Sequence, residues 1–291
     1  MGYLYIVIAL LAGATKGFMG KRISNTVTTY RQSVFVNMLR MLICVAVSVG
    51  TLLIESGGNG FVMDKEAFIY GGLAGVALSA FLITWLLAVR HGAFMLISVS
   101  QMFGVVITLI CSYFVFRDPI VPKQLIAVLI LIAAVLIMAS YSSIIKGKLS
   151  AVGIFLIIAC GTSNGLYDFS LKLFTYYSEA SVSVLNLISY ATSGIVLVAM
   201  MSMPSDDSFD KKALFKSGFM PVLIMSVCLF INSYFKAAAN NYLTVAQVYP
   251  LNQAGGLILS ALMSAAFFKE KITFRCAIGM ALAFVAVILL K

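Results

Sequence analysis

Charge is what this chain most lacks. Only 10% of its 291 residues are Asp, Glu, Lys or Arg, while 62% are hydrophobic. A soluble domain carries about 25% charged residues to cover its surface, so a soluble globular fold is excluded. Histidine occurs once, at His91, and tryptophan once, at Trp85. The five cysteines (Cys44, Cys111, Cys160, Cys228 and Cys276) are scattered through apolar runs without a CxxC spacing. That pattern argues against a disulfide frame or a bound metal and suits small packing residues. No paired acid and base, catalytic triad or phosphate-cradling loop occurs. Gly71, Gly72 and Gly75 fall inside an apolar run and do not form a nucleotide-binding turn. No enzymatic activity, metal or cofactor is expected.

What is present is length in hydrocarbon-soluble runs. About 20 apolar residues cross a bilayer as a helix, and ten such runs can be drawn. They cover 3–20, 32–54, 67–89, 93–116, 122–141, 151–174, 181–203, 217–239, 243–268 and 273–290. The Met1-Gly-Tyr start lacks the basic stretch of a signal peptide, so the first run is read as a retained helix. The expected fold is an all-α membrane protein with ten transmembrane helices. The net charge of +10 would suggest nucleic acid in a soluble protein. Here the basic residues sit in short loops, and no nucleic-acid partner is expected.

The chain also repeats itself. A shift of 152 lays Gln101 on Gln253, Gly104 on Gly256, Phe116 on Phe268, Asp118 on Glu270 and Lys123 on Arg275. A shift of 148 lays Gly13-Ala-Thr-Lys-Gly17 on Gly161-Thr-Ser-Asn-Gly165, two GxxxG segments of the kind that brings membrane helices close. Tyr141–Ser150 separates the halves, 1–143 and 149–291. Five spans per half send the second half into the membrane from the opposite face, giving two inverted five-helix repeats, a plan of secondary transporters. Four of the twenty Lys and Arg lie inside spans (Lys16, Arg40, Lys172, Lys236), and four lie on one face (Lys65, Arg117, Lys123, Lys291). The remaining twelve lie on the other face. The positive-inside rule puts that face in the cytoplasm and both termini outside.

The turns Phe116-Arg-Asp-Pro-Ile120 and Phe268-Lys-Glu-Lys-Ile272, each closing an apolar span and leading into another, resemble the drug/metabolite transporter (DMT) superfamily. The chain looks most like its EamA-type ten-helix members. The resemblance implies a multi-pass carrier in the cell (inner) membrane, with helices 1, 3, 4, 6, 8 and 9 lining a central cavity. It leaves the substrate open, since the family moves amino acids, nucleotide sugars, organic cations, drugs and phosphorylated sugars.

Polar residues inside the spans mark the candidate site, because such groups are costly in hydrocarbon and tend to face a cavity or a partner. Lys16 lies mid-span and its repeat counterpart is Asn164. Asp168 follows Asn164 by one turn, beside Tyr167. It reads either as a proton-coupling or cation-binding carboxylate or as a structural partner of Lys172 four residues on. Arg40 lies in span two, and Asn232 and Lys236 share a face of span eight. Gln101 (with Ser98 and Ser100) and Tyr249, Asn252 and Gln253 open spans four and nine. Pro250 breaks a backbone hydrogen bond there. These residues would offer neutral hydrogen bonds to a solute or join helices to each other. Trp85 reads as a packing or lipid-facing residue. His91, beside Arg90, reads as a headgroup-level residue. The excess of interior cations over Asp168 favours a small anionic or zwitterionic solute. An exporter of drugs or organic cations is the alternative reading, and a channel a weaker one. The expected partners are the solute, the bilayer and a coupling proton, with the protein a monomer or homodimer.

Overall fold

A computed structural model describes the backbone of the chain except residues 25, 28, 58–59, 91–93, 118–120, 143–150, 204–208, 269–273 and 291. It describes side chains for a smaller set. The core of both repeated turns, His91, and the cations Lys146 and Lys148 lie outside the described residues, as do the side chains of Ser98 and Ser100.

Ten helices follow one another: α1 (Gly2–Ser24), α2 (Tyr30–Ser56), α3 (Lys65–Arg90), α4 (Phe94–Phe116), α5 (Pro122–Ser142), α6 (Ala151–Tyr177), α7 (Val182–Met201), α8 (Lys211–Ala239), α9 (Val245–Phe268) and α10 (Phe274–Leu290). Among the described residues there is no strand. Five helical stretches, Gly2–Ile23, Tyr30–Ser56, Lys65–Leu87, Val182–Met201 and Gly218–Ala239, are long and apolar enough to cross a membrane on their described residues alone. The ten expected runs are found as helices in order. α8 starts at Lys211, earlier than the expected 217, because its first turns are basic and amphipathic and hydropathy passes over them. α9 runs as a helix through Pro250.

Local chemistry sets the ends. Thr29 caps α2 with a reciprocal capping box to Gln32. Gly57 ends α2 at φ +54°, the left-handed conformation a glycine adopts without penalty. Arg117 ends α4 at φ +52°, an uncommon conformation for a residue with a Cβ. Ser181 caps α7 through the Val184 N–H. Asp64 caps α3, accepting from the Ala67 N–H at 2.7 Å.

The packing is inverted relative to a soluble protein. Leu4, Val7 and Leu11 form an exposed stripe on α1, and Phe68, Ile69, Leu73 and Val76 form another on α3. Asn37, Arg40, Asp168, Asn186 and Lys236 are buried. Hydrocarbon solvates the first group and cannot hydrogen-bond the second, so lipid outside and polar groups inside is the stable arrangement. α1 packs on α8 and α6 on α3, α4 packs on α6 and α9 on α1, α2 lies on α7, and α5 on α10. One apolar core joins α2, α3, α6, α7 and α8. A second joins α1, α4, α5, α9 and α10 with the end of α8. Each core takes helices from both halves of the chain, so the halves interlock, and a cavity lies where the cores meet.

Candidate functional site

The cavity measures about 110 Å³ and is lined by α1, α2, α3, α4, α6, α8 and α9. Helical spacing brings its polar residues inward. Cys160, Asn164, Tyr167, Asp168 and Leu171 recur at three- and four-residue intervals and form the buried stripe of α6. Asn232 and Lys236 do the same on α8. Of the residues expected from sequence, Lys16, Arg40, Gln101, Asn164, Tyr167, Asp168, Asn232, Lys236, Asn252 and Gln253 all lie on this wall.

Tyr249 does not lie on it. Its side chain is fully buried behind Asp168. Its hydroxyl donates to the Asp168 carbonyl at 2.7 Å and accepts from Asn240 Nδ2 at 3.0 Å. With both hydrogen bonds made inside the protein, Tyr249 is a brace and is withdrawn from the solute-contact set.

Asp168 has its partner on another helix. Lys236 on α8 forms a buried ion pair with it, while Lys172 lies over the Phe116 ring at 5.8 Å. Four-residue spacing on one helix is outweighed here by an inward-facing carboxylate meeting an inward-facing ammonium. The Lys236 ammonium also sits 5.3 Å from the Tyr167 ring centre and 5.7 Å from that of Tyr249, the electron-rich environment a desolvated cation prefers. Tyr167 in turn shares a 2.7 Å hydrogen bond with Ser233, which donates to Asn186 Oδ1 at 2.7 Å. A polar chain therefore leads from the ion pair into α7.

Arg40 and Lys16 are placed differently. Arg40 Nη1 donates to Asn37 Oδ1 at 2.8 Å, and Asn37 Nδ2 donates to the Ser33 and Leu82 carbonyls at 3.0 and 3.3 Å. The guanidinium is thus held by an amide that is itself anchored to α3. Arg40 Nε is buried without an acceptor. Lys16 reaches the cavity and has no hydrogen bond or ion pair among the described residues. Asn232 Nδ2 donates to the Ala9 carbonyl at 2.7 Å, tying α8 to α1. Gln253 Nε2 donates to Gln101 Oε1 at 3.0 Å, so the two repeat-related glutamines meet on the cavity wall between α4 and α9.

Sequence reading missed the apolar wall. Phe81 and Trp85, four residues apart on α3, line the cavity with Leu10, Met225 and Leu229, and Trp85 packs against Gly20 of α1. Their four-residue spacing was a signal, but one shared with every lipid-facing stripe. It also missed Asn37, whose role as the Arg40 anchor depends on a carbonyl of another helix.

The fold is that of a helical membrane protein, built around a cavity whose polar residues face away from lipid. Comparison with known proteins agrees: residues 1–140 match the EamA-like transporter family, and this part of the chain belongs to that family. A solved structure described only as "Crystal structure of protein" superposes with a TM-score of 0.72, covering 97% of this chain and 95% of its own at 15% identity. It shares the fold. No curated protein matches the chain.

Proposed function

We propose that the protein is a secondary active transporter of the cell membrane that moves a small polar metabolite, anionic or zwitterionic, by alternating access. The observation that carries this reading is the cavity itself. It lies between helices of both halves, and its wall holds Lys16, Arg40 and Lys236 against the single carboxylate of Asp168 among its described residues. Two inverted repeats, 1–143 and 149–291, are supported by the matched packing of α1 on α8 with α6 on α3. A solute bound between them reaches one side or the other as the packing around the cavity shifts, provided it binds the two states differently. The cation excess weighs against an exporter of organic cations.

Asp168 is the proposed proton-exchange group, since binding near it disturbs its pairing with Lys236. Uptake by proteoliposomes holding the purified chain tests the whole reading. Saturable counterflow is expected. Unsaturable conductance points to a channel, and product formation to an enzyme. Loss of stimulation by a pH gradient in Asp168→Asn is expected from proton exchange, and uptake indifferent to the gradient removes that step.

A further inference from the structure

We infer that the solute is a small organic dianion, such as a phosphate monoester or a short dicarboxylate, held between Lys16 and Arg40. This inference rests on the transporter reading above. The argument is one of matched charge. Of the three cations on the described cavity wall, Lys236 is neutralised by Asp168. Lys16 makes no direct ion pair among the described residues, Asp168 acting on it only from a distance, and Arg40 is hydrogen-bonded by the neutral Asn37. Two cations therefore face the cavity without a carboxylate in direct contact.

A zwitterion matches them poorly. Its ammonium needs a carboxylate, and the one carboxylate on the described wall is already engaged. An organic cation matches them worse. A dianion satisfies both cations at once, the condition under which buried charges are tolerated. The two cations also differ usefully. Arg40 offers a planar fork fixed in place by Asn37, with Nε still lacking an acceptor. Lys16 offers a mobile point charge. A fork beside a point charge is a common way to hold phosphoryl or carboxylate oxygens. The body of the solute has a neutral site waiting as well, since Asn252 Oδ1 is buried without a donor and accepts a hydroxyl.

The test uses the full chain, first in detergent and then in proteoliposomes. Thermal midpoints are read with glycerol 3-phosphate, succinate, butyrate, alanine and choline. Counterflow of each labelled probe follows. Glycerol 3-phosphate or succinate is expected to raise the midpoint and to show saturable counterflow. The phosphate probe is expected to weaken as pH falls through its second ionisation near ~6. Lys16→Met and Arg40→Met are each expected to weaken dianion binding about tenfold or more, with Arg40→Lys losing less than Arg40→Met. The Lys variant keeps the charge, so a fold defect in Arg40→Met does not decide the outcome. Saturable counterflow of alanine or choline without a dianion response overturns the dianion and leaves the carrier standing. No midpoint shift and no saturable flux with either dianion also overturns it. Unsaturable conductance overturns the carrier reading itself.

Discussion

Two helix seams that the repeat relates behave in opposite ways. Where α4 meets α6, glycine meets glycine. A Cβ added to Gly104 would lie 2.8 Å from the Gly161 carbonyl oxygen, and one added to Gly165 would lie 2.5 Å from that of Gly104. Thr108 Oγ1 closes the contact with a 3.0 Å hydrogen bond to the Gly165 carbonyl. The counterparts of these glycines are Gly256 on α9 and Gly17 on α1. Neither has a neighbour within 4 Å of an added Cβ, and both line the cavity. The same small residues thus bring one pair of helices into backbone contact and leave space beside Gly17 and Gly256 on the other pair, which closes instead where Gly255 of α9 meets Leu10 of α1. The unpaired charge follows the space: Lys16 stands on the open side, where α6 carries the neutral Asn164. Under the proposed function, a cavity displaced toward α1 and α9 would orient an asymmetric solute, which a strictly symmetric one has no means to do.

The largest expected effect separates two lysines. Lys236→Met leaves Asp168 buried without its cation and is expected to lower stability by about 3–5 kcal/mol, with much of it restored in the Lys236→Met/Asp168→Leu double variant. Lys16→Met removes a charge that has no partner and is expected to hold stability or raise it while uptake falls about tenfold or more. Denaturation in detergent beside proteoliposome uptake reads both. A Lys16→Met variant that unfolds breaks the contrast between the closed and open sides.

The glycines come next. Gly165→Ala drives a methyl into backbone and is expected to cost about 1–3 kcal/mol. Gly17→Ala meets open space and is expected to change stability by no more than about 0.5 kcal/mol. Gly17→Leu fills the cavity, so uptake should drop while the melting midpoint holds. Equal losses for Gly165→Ala and Gly17→Ala would show that the two seams are alike.

Asn164→Ala is expected to reduce uptake less than Lys16→Met, since a neutral hydrogen bond contributes about 1 kcal/mol and a charged one about 1.5–3. Normal transport in both variants removes the proposed site.

The smallest effect lies outside the membrane. Burial is the largest single influence and pushes the Asp64 carboxyl up, but hydrogen bonds from Ser178 Oγ and the N–H groups of Glu179 and Ala67 together outweigh it and hold the pKa below its usual value. A carboxylate with a lowered folded pKa stabilises above its unfolded pKa, near ~4, and that contribution fades as pH falls through the folded value. Asp64→Asn should therefore melt slightly below the parent chain at neutral pH, with the difference closing in acid. A difference that persists unchanged in acid detaches the effect from the charge.

Much of the fold was legible in order. Ten helices follow from ten apolar runs, because the bilayer imposes a length and the backbone must bond to itself within it. Most of the polar wall was legible too, since an ionisable group inside an apolar run has few places to go but a cavity or a partner. What a single chain does not carry is the identity of the partner. Asp168 looked four residues along its own helix and found Lys236 on another. Tyr249 stood next to the polar triplet of α9 and turned its hydroxyl to the backbone of α6. Trp85 read as an ordinary packing residue and became part of the wall. Composition and periodicity determine which residues avoid lipid, because that preference belongs to each side chain. Tertiary structure alone decides which of them meet, which seam closes on its glycines, and which lysine is left facing the cavity, because those outcomes depend on how helices distant in sequence approach one another.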